Sequence, residues 1–132
     1  MLNGLIIDSA GNKIYYRDDL YHREDGPAIE YANGTKEWYI YGKLHREDGP
    51  AMESSNGDKY WYQNNLIHRI GGPAIEYANG NKVWCQNNLY HRTDGPAVER
   101  INKSNHWFIN DKEIFCKTNE EFLKLMKYKW MV

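Results

Sequence analysis

The segment Tyr21-His22-Arg23-Glu24-Asp25-Gly26-Pro27-Ala28 returns as Leu44-His45-Arg46-Glu47-Asp48-Gly49-Pro50-Ala51. It returns again as Ile67-His68-Arg69-Ile70-Gly71-Gly72-Pro73-Ala74 and as Tyr90-His91-Arg92-Thr93-Asp94-Gly95-Pro96-Ala97. His22, His45, His68 and His91 are spaced by 23 residues, as are Trp38, Trp61, Trp84 and Trp107. Self-similarity at a fixed short period marks a chain of stacked units, each able to bury its apolar surface only against its neighbours. Tyr15 holds the Trp position of the first unit, so the units run over about 5–27, 28–50, 51–73, 74–96 and 97–119. All of them fall within one domain, 1–132.

Each unit reads as strand, turn, strand. Asn33-Gly34, Asn56-Gly57 and Asn79-Gly80 are hairpin signals, because a type I′ turn needs positive φ at both central residues. A two-residue loop at Asn33-Gly34 predicts that Ile29 faces Trp38, Glu30 faces Glu37 and Ala28 faces Tyr39. It likewise predicts Ile6–Tyr15, Met52–Trp61, Ile75–Trp84 and Val98–Trp107 on one sheet face. Asp-Gly-Pro closes each connection, the Gly permitting a turn and the Pro opening the next strand. The expected fold is all-β: an elongated single-sheet meander of five β-hairpin repeats, advancing roughly 9–10 Å per unit.

The fifth unit loses the Asn-Gly turn and the His-Arg run. Thr118-Asn119-Glu120-Glu121 forms a capping box, followed by Phe122, Leu125 and Met126 at helical spacing. A capping α-helix over about 118–130 is predicted to cover the end of the last hairpin.

In Trp38-Tyr39-Ile40-Tyr41-Gly42-Lys43-Leu44-His45, the Trp, the Gly-Lys turn and the His resemble MORN repeats and the related antitoxin-type repeats. Where that family has a Gly after the Lys turn, this chain has Arg46. The His-Arg-x-Asp-Gly-Pro-Ala run, over about 5–115, is similar to a MORN-like variety frequent in large DNA viruses and phages. The resemblance implies a non-enzymatic interaction or scaffolding module, such as a viral accessory protein that binds a host factor. It also implies that some such chains assemble with themselves.

Composition narrows the partners. A net charge of −1 is too small for binding to nucleic acid or an anionic membrane by electrostatics. No apolar run approaches a membrane span, and the first residues lack the basic and apolar regions of a signal peptide. Cys85 and Cys116 fit a reducing, cytoplasmic setting better than a disulfide framework. The expected partner is a protein, with a homo-oligomer as the alternative.

The repeated His, Arg and Asp invite a hydrolase, nucleotide-binding or metal reading. Metal ligands must converge within about 2 Å of one ion, whereas equivalent His residues stand roughly 9–10 Å apart along a stack. Neither Cys has a neighbouring His to activate it. No catalytic residue, metal site or cofactor is therefore expected, and the Trp and His ladders read as scaffold. With the Trp face as core, Tyr16, Tyr39, Tyr62 and Phe108 form a candidate binding stripe on the opposite face. Positions where copies disagree offer specificity: Tyr41 against Asn64 and Asn87, Glu24 against Ile70 and Thr93, Ser54-Ser55 against Tyr31-Ala32. Gly71 stands where the other copies have Asp.

Overall fold

The computed structural model describes residues 1–130, the last two in backbone only. The fold is mostly β with one helix, Asn119–Trp130, at its C-terminal end. One antiparallel meander runs through Gly4–Ile7, Lys13–Arg17, Ile29–Glu30, Lys36–Glu37, Met52–Glu53, Lys59–Tyr60, Ile75–Glu76, Lys82–Val83 and Val98–Glu99 without closing into a barrel.

The loop of each first hairpin has three residues rather than two, and this corrects the expected register. Tyr31 N–H donates to Thr35 O (2.8 Å), Gly34 N–H donates to Tyr31 O (2.9 Å), and Gly34 lies at φ 97°. This is a turn followed by a left-handed residue, the next commonest hairpin loop after the two-residue kind. Ile29 therefore faces Glu37 and Glu30 faces Lys36. Ile6 faces Ile14, Met52 faces Tyr60, Ile75 faces Val83, and Val98 bridges His106. None of the expected pairs of aliphatic residues with Tyr15, Trp38, Trp61, Trp84 or Trp107 forms. A slip of one residue moves a whole strand's side chains to the other face. The two-residue register would have set Glu30 against Glu37, and like charges directly opposite are unfavourable. The observed register makes an alternating ladder instead, Lys13–Glu30–Lys36–Glu53–Lys59–Glu76–Lys82–Glu99, each member opposite the next.

Each of the first four units whose connection is complete, and the last unit as well, also carries a second hairpin that the sequence reading did not resolve. Tyr39–Ile40 pairs with Lys43–Leu44 around Tyr41-Gly42, which have φ 46° and 79°. Asp18-Asp19, Asn64-Asn65, Asn87-Asn88 and Asn110-Asp111 make the same two-residue turn, with both φ values positive. Asn and Asp tolerate the left-handed region, so here the two-residue primed turn is realised.

Turn side chains staple one unit to the next. Asn65 N–H donates to Leu44 O (2.9 Å) while its Oδ1 accepts from Leu44 N–H (2.7 Å). Asn88 with Ile67 and Asp111 with Tyr90 repeat this exchange. At the first-hairpin end, Asn12 Oδ1, Thr35 Oγ1, Asp58 Oδ1 and Asn81 Oδ1 accept from Ala32, Ser55, Ala78 and Ile101 N–H.

The core is an inner layer and a separate cluster at the C-terminal end. Ala28, Ala51, Ala74 and Ala97 have no exposed area, and Ile75, Val83 and Cys85 pack there with Tyr60, Ile67, Tyr77 and Val98. At the end, Phe122 and Met126 bury against Trp107 and Ile109. Thr118 Oγ1 accepts from Glu121 N–H (3.1 Å), as the capping box predicts. Leu125, expected on the apolar side of the helix, is exposed. The helix thus covers the last hairpin through the ring of Trp107, whose indole N–H donates to Asn119 Oδ1 (3.1 Å).

Candidate functional site

The shifted register turns Trp38, Trp61 and Trp84 away from the inner layer and half-buries them on the outer face. Each backbone N–H donates to an Ala carbonyl of the following unit: Trp38 to Ala51 (2.7 Å), Trp61 to Ala74 (2.8 Å), Trp84 to Ala97 (2.7 Å). Each ring then carries a guanidinium. Arg46 lies 3.9 Å above Trp38, Arg69 4.1 Å above Trp61 and Arg92 3.8 Å above Trp84, while Arg23 stands 4.0 Å from the Tyr15 ring. Arg prefers such stacking because its planar, weakly hydrated cation matches the ring face.

The other side of each guanidinium is closed by glycine. A Cβ on Gly26, Gly49, Gly72 or Gly95 would stand 2.6–2.9 Å from the Arg Cζ. The Gly of Asp-Gly-Pro therefore serves close approach of the guanidinium and not a left-handed turn: among these positions none has positive φ. The Arg Nη1 donates to the Pro carbonyl that follows, Pro27 (3.2 Å), Pro50 (3.0 Å), Pro73 (3.0 Å) and Pro96 (3.1 Å). Carboxylates complete the fork. Arg23 meets Asp25 and Glu30, Arg46 meets Asp48 and Glu53, and Arg92 meets Asp94 and Glu99.

The histidines are joints. Nδ1 of His22, His45, His68 and His91 accepts from the backbone N–H of Tyr41, Asn64, Asn87 and Asn110, each the first residue of the next unit's primed turn. The proton consequently sits on Nε2. His22 is buried and the other three are half-buried. Where the unit supplies a Glu, it faces that nitrogen: His45 Nε2 lies 2.6 Å from Glu47, and His22 Nε2 lies 3.5 Å from Glu24.

Tyr16, Tyr39, Tyr62 and Phe108 are half-buried. Tyr39 packs on Tyr21 (5.2 Å between ring centres), Tyr16 on Tyr21 (5.5 Å) and Phe108 on Tyr90 (5.1 Å). The Tyr39 hydroxyl donates to the buried Glu37 carboxylate (2.6 Å). Burial, then the bond to Glu37, pushes the Tyr31 hydroxyl up to about 12 and raises Tyr39 further. Burial pushes the Cys85 thiol up to about 11, which disfavours the thiolate a nucleophile needs.

Sequence reasoning missed the Arg–Trp–Gly sandwich. Its signal was present, since Arg and Gly follow Trp38, Trp61 and Trp84 at a constant interval. The interval could not be converted into contact while the Trp was assigned to the inner face.

No family model and no curated protein matches this chain. Among the described residues, no helix is long and apolar enough to cross a membrane.

Proposed function

We propose that the chain is a non-enzymatic protein-interaction module that presents its outer face to a partner. The carrying observation is that the His-Arg-Asp groups are engaged in building the stack: the His Nδ1 atoms join units and the Arg forks are clamped between ring, glycine and carbonyl. Chemistry would require these groups to release their partners. Between consecutive Arg–Trp stacks the outer face forms a row of open notches, one lined by Arg46, Asp48, Trp61, His68 and Arg69 and the next by Arg69, Trp84, His91 and Arg92. A rigid row of rings and cations suits recognition, because little side-chain entropy is lost on contact. Of the stripe Tyr16, Tyr39, Tyr62 and Phe108, three members, Tyr16, Tyr39 and Phe108, are engaged in ring packing, which favours the outer face. The resemblance to MORN-like repeats, with their viral examples, supports the same reading. The free cysteines Cys85 and Cys116 support a cytoplasmic setting, that of the host if the chain is viral.

A photo-crosslinking residue at Glu47 on the outer face is expected to capture one protein reproducibly, and the same residue at Asn56 in a first-hairpin loop is not. Equal capture at both positions, or at neither, would sink the reading.

Self-assembly is the second reading. Gly4–Ile7 exposes Leu5 and Ile7 and carries no charge, and one of its edges has no strand partner among the described residues. Such an edge is a template for pairing. Light scattering showing a monomer at high concentration would remove it.

A further inference from the structure

The third unit breaks the rule that the other three keep. Arg23, Arg46 and Arg92 each face two carboxylates, and in each the Nε is within 2.8–3.2 Å of an Asp. Arg69 faces only Glu76, at 3.6 Å, because Gly71 replaces the Asp. Its Nη1 reaches Pro73 O and its ring stack is intact, yet its Nε has no acceptor among the described residues. The adjacent histidine also lacks an Nε2 acceptor among the described residues, a condition it shares with His91, where Thr93 replaces the Glu, and with the buried His22, whose Nε2 makes no hydrogen bond. His68 Nδ1 accepts from Asn87, so Nε2 is a donor, but Ile70 stands where Glu47 meets His45. Gly71 sits at φ 87°, with open space where a Cβ would point, and Ile70 is 76% exposed.

We infer that the loop Ile70-Gly71 is a docking point for an acidic segment of a partner protein, one of whose carboxylates takes the place against Arg69 that Asp25, Asp48 and Asp94 take in the sister units. The chemistry of the missing group defines the ligand. A fixed guanidinium fork favours a planar carboxylate, and its orientation is already set by the Trp61 ring, Gly72 and the Pro73 carbonyl. Ile70 adds an exposed apolar contact beside the fork. Local charge points the same way: the loop carries Glu24-Asp25 and Glu47-Asp48 in the first two units and no charge at Ile70-Gly71. The third loop therefore leaves Arg69 with one carboxylate where the other three arginines have two.

This inference rests on the interaction reading and narrows it. A module that bound elsewhere on its outer face would still give crosslinks from Glu47 while Arg69 stayed silent, so the two can fail separately.

The test follows the side-chain Nε–H resonances of Arg23, Arg46, Arg69 and Arg92 by NMR. The probes are the peptide acetyl-Ser-Glu-Asp-Ser-amide, its Gln-Asn counterpart, and inorganic phosphate. The acidic peptide is expected to shift Arg69 saturably and the other three arginines little, with the amide peptide about tenfold weaker or more. The double variant I70E/G71D makes the third loop match the first two, a sequence this chain already folds twice. It is expected to abolish the shift while leaving the melting temperature unchanged or raised. Equal shifts at all four arginines, no saturable shift at Arg69, or an undiminished shift in the double variant would overturn the inference. So would a response to phosphate alone, or a shift that follows protein concentration without peptide and so points to a second copy.

Discussion

Arg46 lies 3.9 Å above the indole ring of Trp38, in a slot whose opposite wall is Gly49. The same arrangement joins Arg69 to Trp61 and Arg92 to Trp84. A ring, a cation and a glycine, none adjacent in sequence, thus come together in each of the first four units.

Replacing Arg46 with Met keeps a long apolar stem but removes the stacked cation, the bond to Pro50 O and the meetings with Asp48 and Glu53. A loss of about 1–3 kcal/mol is expected from the ring stack and the charged hydrogen bonds together. Arg46→Lys should recover only part of it, because an ammonium cannot stack and fork at once. Urea unfolding monitored by Trp fluorescence measures both.

Gly49→Ala places a methyl group 2.9 Å from Arg46 Cζ. The guanidinium has to shift against the Trp38 ring and the Pro50 carbonyl that hold it, and a loss of about 1 kcal/mol is expected, at the low end for overpacked sites. If G49A melts with the parent protein, the glycine is there for another reason.

Lys103 occupies the left-handed loop position that Gly34, Gly57 and Gly80 hold in earlier units, at φ 65°. Lys103→Gly is expected to stabilise the chain by about 1 kcal/mol through relief of Cβ strain. The converse change, Gly80→Ala, adds the same strain and brings a Cβ within 2.8 Å of Ile101 Cγ2, so its loss should exceed that gain. Thermal melts of the two variants give the comparison.

Alkaline pH is expected to unfold the protein through Tyr31 and Tyr39. Both hydroxyls are raised above the ordinary value near 10 by burial and by the bond to Glu37, Tyr31 to about 12. The unfolded chain releases these protons first, so the stabilisation is whole below about pH 10 and is lost as pH rises through about 12. Replacing both tyrosines with Phe should flatten this fall. It should also lower stability at neutral pH, where Glu37 loses its Tyr39 donor. Urea midpoints from pH 8 to 12 decide it.

The sequence alone determined the period, the strand-rich unit, the sites of the Asn-Gly turns and the Thr118 cap. These depend on local demands, namely which residues accept positive φ and which side chains reach a neighbouring N–H. Tertiary structure decided the register. Asn33-Gly34 suits both a two-residue loop and a three-residue loop ending at Gly34, and only cross-strand contacts separate them. Opposing Glu30 to Lys36 rather than Glu37 was a sequence-level clue to the answer. Once the loop takes three residues, Trp38 turns outward, Arg46 acquires its ring and the Tyr39 hydroxyl reaches the buried Glu37. Arg69 then keeps the ring but not the Asp, a difference written in the sequence as Gly71 and given meaning only by where the fold puts it.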